Sequence, residues 1–316
     1  METRPLARNG PSLTRFGLGL AALGRPAYMT LGHATHLPEG RSVEAMEAHA
    51  HRVFDRAYAA GIRYFDTARS YGRGEQFLRV WIDARGHRDV IAGSKWGYRY
   101  TGDWQVDGRV QEVKEHSARM LRTQAAESSA ILGPHLRLYQ IHSATRETGV
   151  LENAEVLAEL RRLREGGLHL GVTATGPAQG DTIRRALELR VDGARLFSAV
   201  QATWNALERS AETALREAHE AGLTVLVKEP LANGRLAPGG DAARSLPGAP
   251  DAAALALVLA QPWADVVLLG AATVPQLDSN LRAPELSLAA EDLRLLDALR
   301  QPPEEYWKQR SRLPWN

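Results

Sequence analysis

The chain of 316 residues contains no cysteine. That absence removes disulfides, thiolate metal sites and cysteine nucleophiles from consideration. Long apolar runs are also missing, so although 44% of residues are hydrophobic the chain is not expected to cross a membrane. Nor is there a concentrated basic face: the formal net charge is only +2, the pI is near 9.0, and the arginines are scattered. Nucleic-acid binding would require clustered cations with interleaved aromatics, so no nucleic-acid partner is expected. The N-terminal stretch METRPLARNGPSLTRFGLGL has no continuous apolar segment or small-residue cleavage site. A cytoplasmic enzyme acting on a small molecule is therefore the expectation.

What is present is an alternation of short apolar runs with helical patterns, the signature of βα units and a parallel sheet. Eight runs read as strands: 16–20, 63–66, 89–95, 136–142, 168–173, 196–201, 223–228 and 264–270. Helical periodicity marks 43–60, 110–125, 153–164, 182–190, 208–221, 252–260 and 274–281. Eight strands with intervening helices at this length predict a (β/α)8 barrel, taken as a single domain over 1–316. A doubly wound sheet would announce itself with G-x-G-x-x-G opening a helix after the first strand, whereas GLGLAALGRP has the wrong glycine spacing and leads into a long loop.

Long segments at 25–41, 98–107 and 233–250 each follow a strand and are expected to form loops at the C-terminal face, where barrel enzymes build their sites. An amphipathic helix at 291–300 precedes a C-terminal extension, 301–316, that carries Tyr306, Trp307 and Trp315 and is expected to fold back as a lid. Four reactive side chains gather at strand ends: Asp66 and Tyr71 after the second strand, Lys95 at the end of the third, His142 at the end of the fourth. Singly, these read as a cap, a packed tyrosine, a surface lysine and a core histidine. Together they define a candidate catalytic site.

The motifs GIRYFDTARSYGRGE, IAGSKWG and LYQIHS, with weaker echoes in LGVTATG, VQATWNALE, KEPLANGRL and LLGAATVPQLDSNL, resemble those of the aldo-keto reductases over nearly the whole chain. The resemblance implies NAD(P)(H)-dependent interconversion of an aldehyde, ketone or sugar carbonyl with its alcohol, Tyr71 being the general acid/base. Chemically, Lys95 beside Tyr71 is expected to lower the phenol's pKa, Asp66 to hold the ammonium, and His142 to orient the carbonyl oxygen. Two alternatives share the fold: a redox-linked epimerase or isomerase that retains its cofactor, and a non-catalytic binding subunit.

By the same resemblance the dinucleotide lies across the barrel mouth. Thr173 and Gln201 are expected at the nicotinamide carboxamide, Asn233 and Gly234 at the pyrophosphate, Gly270, Ala272 and Gln276 around the 2′ position and Asn280 on the adenine side, with Gly19, Leu20 and Asp66 as further cofactor contacts. Lys228 stands where many members carry a stacking aromatic ring, a loss for which Leu231 could compensate. The 270–280 segment lacks the basic residues typical of NADP-selective members, although Arg235 or Arg282 could reach a 2′-phosphate from elsewhere. NADP(H) is nonetheless expected slightly ahead of NAD(H), on the habit of the family. Arg69, where the family usually has proline, together with Trp96, Tyr98, Tyr100 and Trp104, is expected to wall the substrate pocket, with Arg69 pairing to an anionic substrate.

Overall fold

The computed structural model describes residues 1–37, 41–106, 110–246 and 248–316. Eight parallel strands close into a barrel. They are β1 (Phe16–Gly19), β2 (Tyr64–Asp66), β3 (Ile91–Trp96), β4 (Leu136–Ala144), β5 (His169–Ala174), β6 (Ala199–Thr203), β7 (Thr224–Lys228) and β8 (Val266–Leu269). Neighbours in sequence are neighbours in the sheet, and β8 returns to β1 with Val267 opposite Phe16 and Leu269 opposite Leu18. Each strand overlaps one of the apolar runs read from the sequence.

Helices wrap the outside: α1 (Val43–Ala59), α2 (Gly74–Arg85), α3 (Ala118–Leu132), α4 (Ala154–Glu165), α5 (Gln179–Glu188), α6 (Glu212–Glu220), α7 (Pro250–Leu259) and α8 (Val274–Asn280). Two further helices, α9 (Ala290–Ala298) and α10 (Pro303–Arg310), follow the barrel. The starts of α1 and α4 are set by Ser42 and Asn153, whose side chains accept from the first-turn amides.

The helical expectation needs two corrections. Helix α2 is absent from the segments predicted above, although Phe77, Leu78, Trp81 and Ile82 form its buried stripe; Arg73, the residue before it, makes no side-chain cap, so nothing in the sequence announces its beginning. The segment predicted as helix from Val110 is strand first: Glu112–Lys114 pairs antiparallel with Tyr98–Tyr100, and α3 begins only after Ser117 accepts from Met120 N at 3.1 Å. The region read as a loop after β3 is thus largely a hairpin; Asp107 lies outside the described residues.

Alternation along the strands positions the site. In β2, Tyr64 and Asp66 face the barrel interior while Phe65 faces outward, where it meets Phe54 and Trp81 edge-on and tilted, with ring centroids 5.7 and 5.3 Å away. The interior below Asp66 is filled by Tyr64, Leu138, Ala199, Leu226, Val266 and Leu268. A hairpin of Thr3–Pro5 and Ser12–Thr14 closes the far end of the barrel, with Leu6 and Leu13 buried among these residues.

Gly93, opposite Asp66 in the sheet, makes room for this packing: a Cβ there would lie 2.1 Å from the Tyr64 hydroxyl. Gly93→Ala is expected to lower stability by about 2 kcal/mol through overpacking, read as a lower denaturation midpoint. An unchanged midpoint would show that Tyr64 moves aside freely.

Candidate active site

Asp66 arrives at the mouth of the barrel 2% exposed and is met by donors on every side. One carboxylate oxygen takes the Lys95 ammonium, which also donates to the Thr67 carbonyl at 2.9 Å. The other accepts from the Tyr64 hydroxyl at 3.1 Å and from the Gln140 and Gln201 amides at 3.3 and 3.2 Å. A buried charge is tolerable only when paired and hydrogen-bonded, and here the barrel interior supplies both.

Tyr71 comes back to this point because the chain turns through Gly72, whose φ of 58° is left-handed. The Tyr71 Oη lies 3.5 Å from His142 Nε2, and the Lys95 ammonium sits 5.0 Å from the centre of the Tyr71 ring. Burial, followed by the charge of Asp66, pushes the Tyr71 phenol up. That is opposite to the lowering expected from Lys95: the ammonium's charge is already answered by Asp66. Burial and the Lys95, Lys228 and Arg25 cations hold His142 well below the usual imidazole range, so its ring is neutral. Its Nδ1 is buried without a partner among the described residues.

These groups open onto a cavity of about 780 Å³ at the C-terminal ends of the strands. Asp66, Tyr71 and His142 line it, and Lys95 stands behind Asp66. Of the residues expected to hold a cofactor, Gly19, Thr173, Gln201, Lys228, Leu231, Asn233, Gly234, Gly270, Ala272, Gln276 and Asn280 line the same cavity. Leu20 does not: it is fully buried below the rim, its amide donating to the Asp66 carbonyl. The Thr173 hydroxyl accepts from Ser143 N at 2.7 Å, which leaves its own proton available to the cavity.

The substrate wall differs from expectation. Tyr98 lines the cavity, its ring centroid 4.9 Å from that of His142. Arg69 instead faces the helix layer, where it donates to the buried Glu75 at 2.6 Å and to Glu127 at 2.9 Å, so it has no free guanidinium to offer a substrate. Trp96 follows the inward-facing Lys95 and so points outward; it is fully buried and packs edge-on against His116. Trp104 packs against Phe77 and donates to the Arg41 carbonyl at 2.7 Å, and neither it nor Tyr100 lines the cavity. Arg235 is held by Asp241 and Gln301, and neither it nor Arg282 lines the cavity.

Several wall residues went unread in the sequence. Arg25, only 1% exposed, donates to Ser70 O and Glu112 and lies over the rings of Tyr28, Tyr71 and Trp315. It thereby joins the first loop, the 98–114 hairpin and the C-terminal segment. That segment is a fixed wall: Asn316 bonds to Tyr28 and Ala34. Asn205 bridges the Tyr306 hydroxyl and the Glu229 carbonyl, and Arg310 grips both Glu229 oxygens. Glu229 has a left-handed φ of 54°, and Ser143 another of 54°.

The matching family model, Aldo/keto reductase family, covers residues 29–248. The chain belongs to this family. The reductase is 27% identical to the uncharacterized oxidoreductase YrpG of Bacillus subtilis, over 94% of this chain and 95% of that one. It is 28% identical to the aldo-keto reductase YhdN of the same organism, over 75% of this chain and 64% of that one. Among solved structures, the aldo-keto reductase AKR11C1 from Bacillus halodurans, in its holo form, has the same fold, with a TM-score of 0.72 at 22% identity over 96% of this chain and 97% of that one. The protein is thus an oxidoreductase that acts on small molecules, in a family that typically uses NAD(P)H. Among the described residues no helix is long and apolar enough to cross a membrane.

The clasp between Glu229 and Arg310 couples the reductase's wall to pH. Burial raises the Glu229 pKa, but Arg310 and Lys228 outweigh it and hold the carboxyl down at about 2, against an ordinary 4.5. A depressed carboxylate stabilises the fold above its ordinary pKa, and that stability is lost as pH falls toward the folded value. Arg310→Ala is expected to cost about 3 kcal/mol at pH 7, because it strands a buried charge. The gap from wild type, measured by denaturant titration, should close as pH falls toward about 2, because without Arg310 burial raises the Glu229 carboxyl and it takes up its proton at a higher pH than the clasped one. A gap independent of pH would refute the clasp.

Proposed function

We propose that the reductase interconverts the carbonyl of a small aldehyde, ketone or sugar with the corresponding alcohol, Tyr71 delivering or accepting the proton. One observation carries this reading: a half-buried phenol stands 3.5 Å from a neutral imidazole at the cavity wall, in front of a buried lysine–aspartate pair. Reduction of a carbonyl leaves negative charge on oxygen, and the nearest acid must release its proton as that charge develops.

The resting pKa of Tyr71 is high, so at neutral pH the proton is in place. As it leaves, phenolate character grows on a ring whose centre lies 5.0 Å from the Lys95 ammonium, which favours the transferred state more than the resting one. In this reading Lys95 acts on the transition state, with Asp66 and its donors keeping the ammonium fixed. His142 adds no charge; its Nε2 directs the substrate oxygen toward Tyr71.

A nicotinamide cofactor, when bound, supplies the hydride. The residues fit such a group. Asn280 donates to Asp251 at 2.9 Å, both residues line the cavity, and among the described residues each keeps a buried Oδ1 without a partner, an acceptor of the kind an amino group requires. Thr173, Ser143 and Gln201 would hold the nicotinamide end, and the 231–234 turn the phosphates. Around Gly270, Ala272, Gln276 and Asn280 no arginine or lysine lines the cavity among the described residues. A 2′-phosphate would meet no cation there, which favours NAD(H) over the NADP(H) suggested by family habit.

Tyr71→Phe should lower carbonyl reduction at least a hundredfold while leaving nucleotide affinity, followed by tryptophan quenching, within a few-fold of wild type. Equal rates for the two proteins would sink the assignment of Tyr71. In the same titration, tighter binding of NADPH than of NADH would overturn the NAD(H) preference.

A further inference from the structure

Of the cations Lys95, Arg25, Arg310 and Lys228 at the catalytic end of the cavity, three are matched by carboxylates among the described residues. Lys95 closes onto Asp66, Arg25 holds Glu112 at 2.9 Å, and Arg310 grips both oxygens of Glu229. Lys228 differs. Its ammonium makes one hydrogen bond among the described residues, to the Thr203 hydroxyl at 3.1 Å. The nearest carboxylate is Glu229 at 4.0 Å, already committed to Arg310. An ammonium carries three donors, so among the described residues Lys228 keeps spare ones, and of these four cations it alone lacks a carboxylate of its own.

The position of Lys228 is fixed by the barrel. It ends β7 opposite Thr203 of β6, lines the cavity, and has its ammonium 5.8 Å from the ring centre of Trp307 in the α10 wall. It is close enough to His142 for its charge to depress that imidazole, so it sits within electrostatic reach of the group that faces the carbonyl. The backbone turn at Leu231–Gly234, farther along the same loop, is the part of the cavity suited to phosphates of a nucleotide. Arg69, where the sequence suggested an anion contact, is occupied by Glu75 and Glu127.

We propose that Lys228 is the residue that selects the substrate: the preferred carbonyl compound carries a second, anionic oxygen group, carboxylate or phosphate, which pairs with the Lys228 ammonium. This rests on the reductase reading above. A charge-assisted hydrogen bond in a partly desolvated site discriminates strongly against the neutral isostere, because the cation is otherwise left short of partners.

The test compares 4-carboxybenzaldehyde with its methyl ester, and glyceraldehyde 3-phosphate with glyceraldehyde, for wild type, Lys228→Met and Lys228→Arg. In Lys228→Met the kcat/KM ratio of anionic to neutral substrate should fall at least about tenfold for one pair, and Lys228→Arg should restore much of it. The pair that responds identifies the anion as carboxylate or phosphate. Ratios that stay constant overturn the proposal, as does a tenfold loss of NADH affinity with both ratios unchanged, which would assign Lys228 to the nucleotide. If wild type reduces neither member of either pair, the reductase reading has failed on these substrates. Calorimetric binding of benzoate and inorganic phosphate, against benzamide, then decides for Lys228: anion affinity lost in Lys228→Met upholds its role, and affinity retained refutes it.

Discussion

The buried pair of Asp66 and Lys95 is the constraint around which the mouth of the barrel is arranged. Two opposite charges almost wholly withdrawn from water are costly unless every remaining donor and acceptor is answered. The barrel meets that demand with four groups from three strands: Tyr64 beneath, Thr67 just beyond β2, Gln140 from β4 and Gln201 from β6. Because these groups are spent on the pair, the pair cannot shift without breaking several hydrogen bonds together. Rigidity of this kind is what a site needs when it must present an ammonium and a phenol at fixed separation.

Around that rigid floor the walls are held by a second type of interaction, ion pairs that span long stretches of chain. Arg25 with Glu112 and Glu229 with Arg310 join segments 87 and 81 residues apart. They make the first loop, the hairpin after β3 and the C-terminal helix into one enclosure. The floor joins charge to strand register; the enclosure depends on charge between distant segments. Acid that reaches the depressed pKa of Glu229 releases Arg310, while the sheet hydrogen bonds remain.

The strands were legible because a barrel strand buries both faces and leaves a short apolar run bounded by polar residues. The four residues at the strand ends were legible for a related reason: a polar side chain closing an apolar run has to face the mouth or stand out as an anomaly. Helix α2 was harder, since it starts without a capping side chain directly after the loop that carries Tyr71. Arg69 was misread because its neighbours in sequence say nothing of Glu127, which reaches it from α3. Trp96 was misread by one step of alternation: the strand that turns Lys95 inward must turn the next residue out. Arg25 and Arg310 could not be assigned at all, because their meaning lies in partners far along the chain.

The hairpin that closes the far end of the barrel has a consequence for traffic. With Leu6 and Leu13 sealing the base, the barrel is a cup and not a tube. Everything that reaches Asp66 and Tyr71 enters and departs over the same rim. The packed interior below Asp66, with the two leucines beneath it, gives the catalytic face a solid base. Approach and departure then share one direction, and the depth at which a molecule sits sets how much of the rim it must clear.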